Sequence, residues 1–147
     1  MSTDGIALNC ILPALDERWL LACIRECPEI LGLGDLVLDE VRTRSASGRL
    51  ELVLHDLDTN HQYDVALQAG ATDDRHFLRT VELWAAERKQ TPRRCHYAVL
   101  IAEDVGSRFL RIAGLLIPSI PLVILRMEAF RPGDATSLRF TKLQPST

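Results

Sequence analysis

Two alternating segments, one short turn apart, constrain this chain more than any other feature. In Gly48 to Asp56, GRLELVLHD, Leu50, Leu52 and Leu54 recur at every second position with Glu51, Val53 and His55 between them. In Gln62 to Gly70, QYDVALQAG, Tyr63, Val65, Leu67 and Ala69 alternate with Asp64, Ala66 and Gln68. Strand side chains point to opposite faces in turn, so each segment reads as a strand with one apolar and one mixed face. Asp58, Thr59 and Asn60 supply the turn chemistry of a hairpin between them. The apolar faces demand a covering layer, and the mixed faces bring Glu51, Asp64, Ala66 and Gln68 to one side of a sheet.

The flanking sequence supplies the covering layers. Residues 16–28 open with Asp16 as an N-cap and carry Trp19, Leu20, Cys23, Ile24 and Cys27 at helical spacing. Pro28 and the Gly32-Leu33-Gly34 run end that helix, and Asp35 to Arg42 reads as a first strand. Beyond the hairpin, Thr72-Asp73-Asp74 caps a second helix expected to turn Phe77, Leu78, Val81, Trp84 and Ala85 inward. Cys95 to Ala102 has the continuous apolar run of a buried strand, and Glu103-Asp104 is expected to start another helix. Ile120 to Met127 reads as a further buried strand and Ser137 to Leu143 as an edge strand. The order α-β-β-β-α-β-α-β predicts one α/β domain over residues 1–147, with a core at about 16–127 and a mixed sheet flanked by helices.

Composition excludes several classes. The longest apolar stretch, Leu115 to Leu125, is broken by Pro118, Ser119 and Pro121 and is too short to span a bilayer. No leader peptide is visible, so a cytoplasmic protein is expected. Cys10, Cys23, Cys27 and Cys95 lack regular spacing and read as reduced thiols, and Cys23 and Cys27, four apart on one helix face without a zinc set, read as buried small side chains. His55, His61, His76 and His96 show no ligand spacing either. Ser107 has no nucleophile elbow around it, and no glycine-rich phosphate or dinucleotide loop exists, so no nucleotide cofactor is expected. The net charge of −3 conceals a gradient: residues 1–74 hold 14 acids and 5 bases, whereas residues 75–111 hold 8 bases and 4 acids. A basic middle is suited to phosphates, or forms an ordinary solvated helix face.

The order of these segments resembles the PD-(D/E)xK nuclease superfamily, and is similar to small restriction-endonuclease-like domains including those of NucS-type endonucleases. ERWLLACIRECPEILGLG resembles the opening helix, GRLELVLHD the first catalytic strand and QYDVALQAG the second. ATDDRHFLRTVELWAAERKQTP and YAVLIAEDVGSRFLRI resemble a helix-strand-helix block of small members of the group. The resemblance covers roughly residues 16–125. It implies a restriction-endonuclease-like αβββαβ core with an extra C-terminal helix and strand, and a bacterial DNA-handling or defence context.

Such a site hydrolyses phosphodiesters with Mg²⁺, held by two carboxylates, beside a lysine that adds a fixed positive charge. Here the first acid position holds Glu51, the second holds Ala66, and the lysine position holds Gln68. The expected function is therefore a catalytically degenerate nuclease-like domain acting as a nucleic-acid-related binding or interaction module, without a cofactor. The first alternative is an active Mg²⁺-dependent endodeoxyribonuclease. It would use Glu51, Asp64 and Gln68 as catalytic residues and Glu51 and Asp64 as metal ligands. Glu17 or Glu26 would assist, with His76 or Arg79 lending the missing positive group. The second alternative is a structural homodimer subunit meeting its twin near Ile117 to Leu125. Arg75, Arg79, Arg88, Lys89 and Arg108 are the candidate nucleic-acid-binding residues.

Overall fold

The computed structural model describes residues 17–45, 49–130 and 136–145. The expected Asp16 cap, Cys10 and Gly48 lie outside the described residues. Helix α1 (Glu17–Glu26) and a single 3₁₀ turn (Pro28–Leu31) lead into strands β1 (Leu36–Ser45), β2 (Arg49–Asp56) and β3 (His61–Ala71). Helix α2 (Asp74–Gln90), strand β4 (Cys95–Asp104), helix α3 (Ser107–Leu116) and strands β5 (Leu122–Phe130) and β6 (Ser137–Leu143) follow. The six strands form one sheet whose spatial order is the sequence order. Pairing is parallel for β3–β4 and β4–β5 and antiparallel elsewhere. Parallel neighbours need a crossover, which is why α2 and α3 stand where they do.

The leucine face of the hairpin behaves as its alternation requires. Leu50, Leu52 and Leu54 join Val65, Leu67, Val99 and Ile101 in a core closed by Leu20, Leu21 and Ile24 of α1. On the other face, Ala98, Leu100, Ala102 and Ile124 pack against Phe77 and Trp84 of α2 and Ala113 of α3. Glu51, Ala66 and the whole of α2 therefore share one side of the sheet, while α1, with Glu17 and Glu26, covers the opposite side.

Four local expectations are corrected. Leu78 is exposed at 60% and Ala85 is also exposed, whereas α2 buries His76, Thr80 and Glu87 beside Phe77, Leu83 and Trp84. The helix is rotated because those polar groups have partners beneath them, described below. Glu103 and Asp104 do not start a helix; they extend β4, with the Thr72 N–H donating to the Asp104 carbonyl at 2.9 Å and the Gly70 N–H donating to Glu103. The N-cap of α3 is Gly106. Cys27 is an exposed free thiol and not a buried small side chain, and Cys23 is only half-buried. Within the apolar run Ile117 to Leu125, Leu122, Ile124 and Leu125 are interior residues of β5, leaving Ile117 and neighbouring Leu115 at the surface.

The start of α2 matches its capping sequence. Asp73 adopts an extended backbone and its carboxylate accepts from the His76 N–H at 2.8 Å. Its pKa lies below the usual carboxylate value, chiefly because of that hydrogen bond. Replacing Asp73 with Ala is expected to cost about 1 kcal/mol in urea unfolding, the usual worth of such a cap. Arg108, by contrast, meets Asp74 at 3.0 Å with both side chains mostly exposed, so it is no buried ion-pair partner. Arg108→Ala should leave stability within about 0.5 kcal/mol of the parent in the same measurement.

Candidate functional site

The hairpin register sets Glu51 directly opposite Ala66 and Arg49 directly opposite Gln68. Opposed residues on one face of an antiparallel pair have Cβ atoms about 5 Å apart, so these four positions form one cluster. Helix α2 crosses above it with His76 and Arg79 one turn apart. Together they line a notch of about 30 Å³, room for about one water molecule.

Glu51 is buried, and its carboxylate is gripped at both oxygens by Arg79. Arg79 Nε donates to Oε2 and Nη2 to Oε1, each at 2.7 Å. This planar two-point pairing is the strongest form of guanidinium–carboxylate contact. It raises the arginine pKa further, with the hydrogen bonds to Glu51 as the main cause. Ala66 offers only its backbone carbonyl, which accepts from His76 Nε2 at 2.8 Å. Burial, above all, pushes the His76 pKa below the usual imidazole value. The neutral ring then donates through Nε2, while Nδ1 accepts the Thr72 hydroxyl at 2.8 Å. Gln68 turns back to donate to the Ala71 carbonyl at 2.9 Å, across a bulge where Gly70 takes a φ of +83° that favours glycine.

Asp64 belongs to a different set. It lies opposite Val53, two residues and about 6–7 Å along β3 from Ala66. Its side chain is sealed from solvent, with Oδ1 accepting from Gln62 Nε2 at 2.7 Å and Oδ2 meeting His96 Nδ1 at 2.9 Å. His96 Nε2 reaches the Thr91 carbonyl at 2.7 Å. Gln62 also lies 3.4 Å from Glu87, which Arg42 of β1 holds with two bonds of 2.9 and 3.2 Å. Arg94 closes the network, donating to Gln62 at 2.9 Å and to Asp39 at 3.2 Å. Burial lifts the Asp64 pKa to about 6, opposed by the hydrogen bonds from Gln62 and His96.

The candidate metal ligands Glu51 and Asp64 thus occupy separate hydrogen-bond sets, each already completed by protein groups. The position opposite Glu51 carries a methyl group, and Glu17 and Glu26 belong to the helix on the other side of the sheet. Among the described residues, no three His, Cys, Asp or Glu side chains are grouped to hold a metal ion. The side chains present do not fit a divalent cation, because octahedral Mg²⁺ requires oxygen donors that converge on one point. Of the candidate positive groups, Arg79 and His76 stand in the notch, Arg75 and Arg108 near the start of α2, and Arg88 and Lys89 at its far end. Sequence reasoning missed Arg49; its signal was the i, i+2 spacing from Glu51, which puts both on one strand face.

No protein-family profile and no curated protein matches the chain. Solved structures do. The chain superposes on EndoMS in apo form with a TM-score of 0.60 and 15% identity, over 81% of this chain and 48% of that one. A repair endonuclease from Pyrococcus abyssi gives 0.56 and 14%, over 90% and 48%. The fold is restriction-endonuclease-like, of the NucS type. EndoMS in a complex with double-stranded DNA gives 0.54 at 16% identity, over 76% of this chain and 44% of that one. The chain therefore spans about half the length of each of these structures. At such identities the likeness establishes the fold alone. As for membranes, no helix among the described residues is long and apolar enough to cross one.

Proposed function

We propose that this chain is a nuclease-like domain that engages nucleic acid without cutting it, serving as a binding or interaction module. The observation that carries the reading is the two-point bond from Arg79 to Glu51 opposite Ala66. Where a nuclease of this plan needs converging anions for a metal ion, a guanidinium fills the role of the cation from within the protein. The Glu51 charge is met within the protein. The nucleic-acid part rests on the fold shared with a protein solved as a DNA complex and on the excess of bases in residues 75–111. The active-enzyme alternative would need Asp64 to leave Gln62 and His96, and nothing in the site favours that.

The test combines two titrations of the full chain. Adding Mg²⁺ or Mn²⁺ in a calorimeter is expected to give no saturable heat, and a labelled duplex incubated with either ion should remain intact. The same duplex in EDTA should bind, with affinity falling steeply as salt rises. A stoichiometric metal isotherm accompanied by cleavage would establish the active enzyme instead. Absence of any DNA binding at low salt would remove the nucleic-acid reading.

A further inference from the structure

Among the described residues, Arg88 and Lys89 place two positive charges without an ion pair at the end of α2 remote from Glu51. Where the helix stops and the chain turns into β4, two adjoining recesses of about 330 and 370 Å³ share Arg88, Pro92, Arg94 and His96. Lys89 lines the first, and Trp84 lines the second. No carboxylate lines either recess among the described residues. Glu87, the nearest acid on the helix, is turned inward and held by Arg42. Arg88 and Lys89 are exposed and make no ion pair with a described residue.

The arginines there are held in place. The Arg88 guanidinium lies 4.5 Å over the Trp84 ring, and the Trp84 indole N–H is itself fixed to the His96 carbonyl at 3.0 Å. Arg94 is anchored through one nitrogen to Gln62 and Asp39, which leaves its other donors uncommitted among the described residues. An arginine pre-oriented in this way loses less side-chain freedom when an anion arrives. In the notch, by contrast, Arg79 is held at both ends of its fork by the buried Glu51 carboxylate.

We propose that the groove formed by Arg88, Lys89 and Arg94 beside Trp84, and not the notch beside Glu51, takes the phosphodiester backbone of a nucleic acid. This rests on the reading proposed above. Arg88 and Lys89, which pair with no described carboxylate, and the uncommitted donors of Arg94, which keeps Asp39 on one nitrogen, surround recesses large enough for a phosphate and its sugar and match that chain chemically. The aromatic wall gives a neighbouring base or sugar a surface to lie on.

The experiment measures binding of a labelled DNA duplex to the full chain in EDTA, by anisotropy across a salt series. Arg88→Gln with Lys89→Gln should weaken binding roughly tenfold near physiological salt and lower the slope of log affinity against log salt by about 2. Arg49→Gln with Arg75→Gln, at the notch end, should change affinity by less than about twofold. In Trp19→Phe protein, where Trp84 is the remaining tryptophan, emission should shift as DNA is added. The inference is overturned if the notch pair carries the loss while the groove pair is silent; the proposed function would survive that result. It is overturned equally if poly-glutamate of matched charge competes as well as DNA, which would mark the groove as a site for an acidic protein. If wild-type protein binds no DNA at all, both readings fall together.

Discussion

Replacing Asp64 with Ala is expected to lower stability by about 3 kcal/mol at neutral pH, more than removal of any surface ion pair. The carboxylate is fully sealed, and its two oxygens occupy Gln62 Nε2 and His96 Nδ1. Its loss strands two buried polar groups where water cannot replace it, each worth about 1–3 kcal/mol. Asp64→Asn is the informative companion. An asparagine oxygen still accepts from Gln62, and its amide can donate to a neutral His96 whose Nε2–H stays on the Thr91 carbonyl. That variant should fold and should differ mainly in its response to pH.

The sign follows from burial. Desolvation raises the Asp64 pKa to about 6 despite Gln62 and His96, while Glu87 pushes in the same direction as burial. An aspartate in the unfolded chain ionises near 3.9. The folded state therefore binds the extra proton between about pH 4 and 6, and stability rises as pH falls through that window. The contribution is fully present below about 4 and is lost as pH climbs past about 6. Up to about 3 kcal/mol is at stake over the two units. Urea unfolding of wild type and Asp64→Asn from pH 4 to 7 isolates this contribution, because every other carboxylate is common to both. If the difference between the two proteins is independent of pH, Asp64 is not the group that titrates.

The same residue marks the limit of what the sequence disclosed. Alternation in the two hairpin segments was sufficient to assign every apolar side chain to its face, because a strand allows only two directions. It also set Glu51 beside Ala66 correctly, since that depends on one turn and a fixed register. Asp64 lies on the same face as Ala66, and on that ground it was a reasonable substitute ligand. What alternation does not carry is which part of a helix passes over each position. His96 and Glu87 reach Asp64's surroundings from 32 and 23 residues away, and that meeting is a property of the crossover, not of any local pattern. Helix α2 shows the same gap. Apolar content pointed to Leu78 and Ala85, yet His76, Thr80 and Glu87 are buried because Ala66, the helix backbone and Arg42 satisfy them. Their spacing of four and seven residues was a usable signal, visible once polar residues are allowed on a buried stripe. The Arg79–Glu51 pair is of the same kind: from sequence Arg79 is a cation for nucleic acid or for the missing positive group, and only the packing of α2 shows what it neutralises.

That neutralisation makes a second prediction of large effect, in which metal binding is built rather than removed. Ala66→Asp alone puts a carboxylate opposite Glu51 at about 5 Å between Cβ atoms, in a buried position. With Arg79 still present, its guanidinium serves both acids, and added Mg²⁺ should have no effect on the melting temperature. Ala66→Asp combined with Arg79→Ala removes that internal cation. Two opposed buried carboxylates then repel each other, and the protein in EDTA should lose several kcal/mol, on the order of the cost of stranding a buried charge. Mg²⁺ or Mn²⁺ now has two converging anions, and binding only the folded state should restore about 2.7 kcal/mol once the ion exceeds its Kd a hundredfold. Thermal melting with and without the ion reads this directly, and Ala66→Asn with Arg79→Ala is the control that lacks the second charge. A double variant indifferent to the ion would mean that the strands no longer hold the geometry of a metal site, whatever side chains they carry. A double variant stabilised by the ion would mean that the scaffold remains competent, and that Ala66 and Arg79 alone stand between this fold and a metal centre.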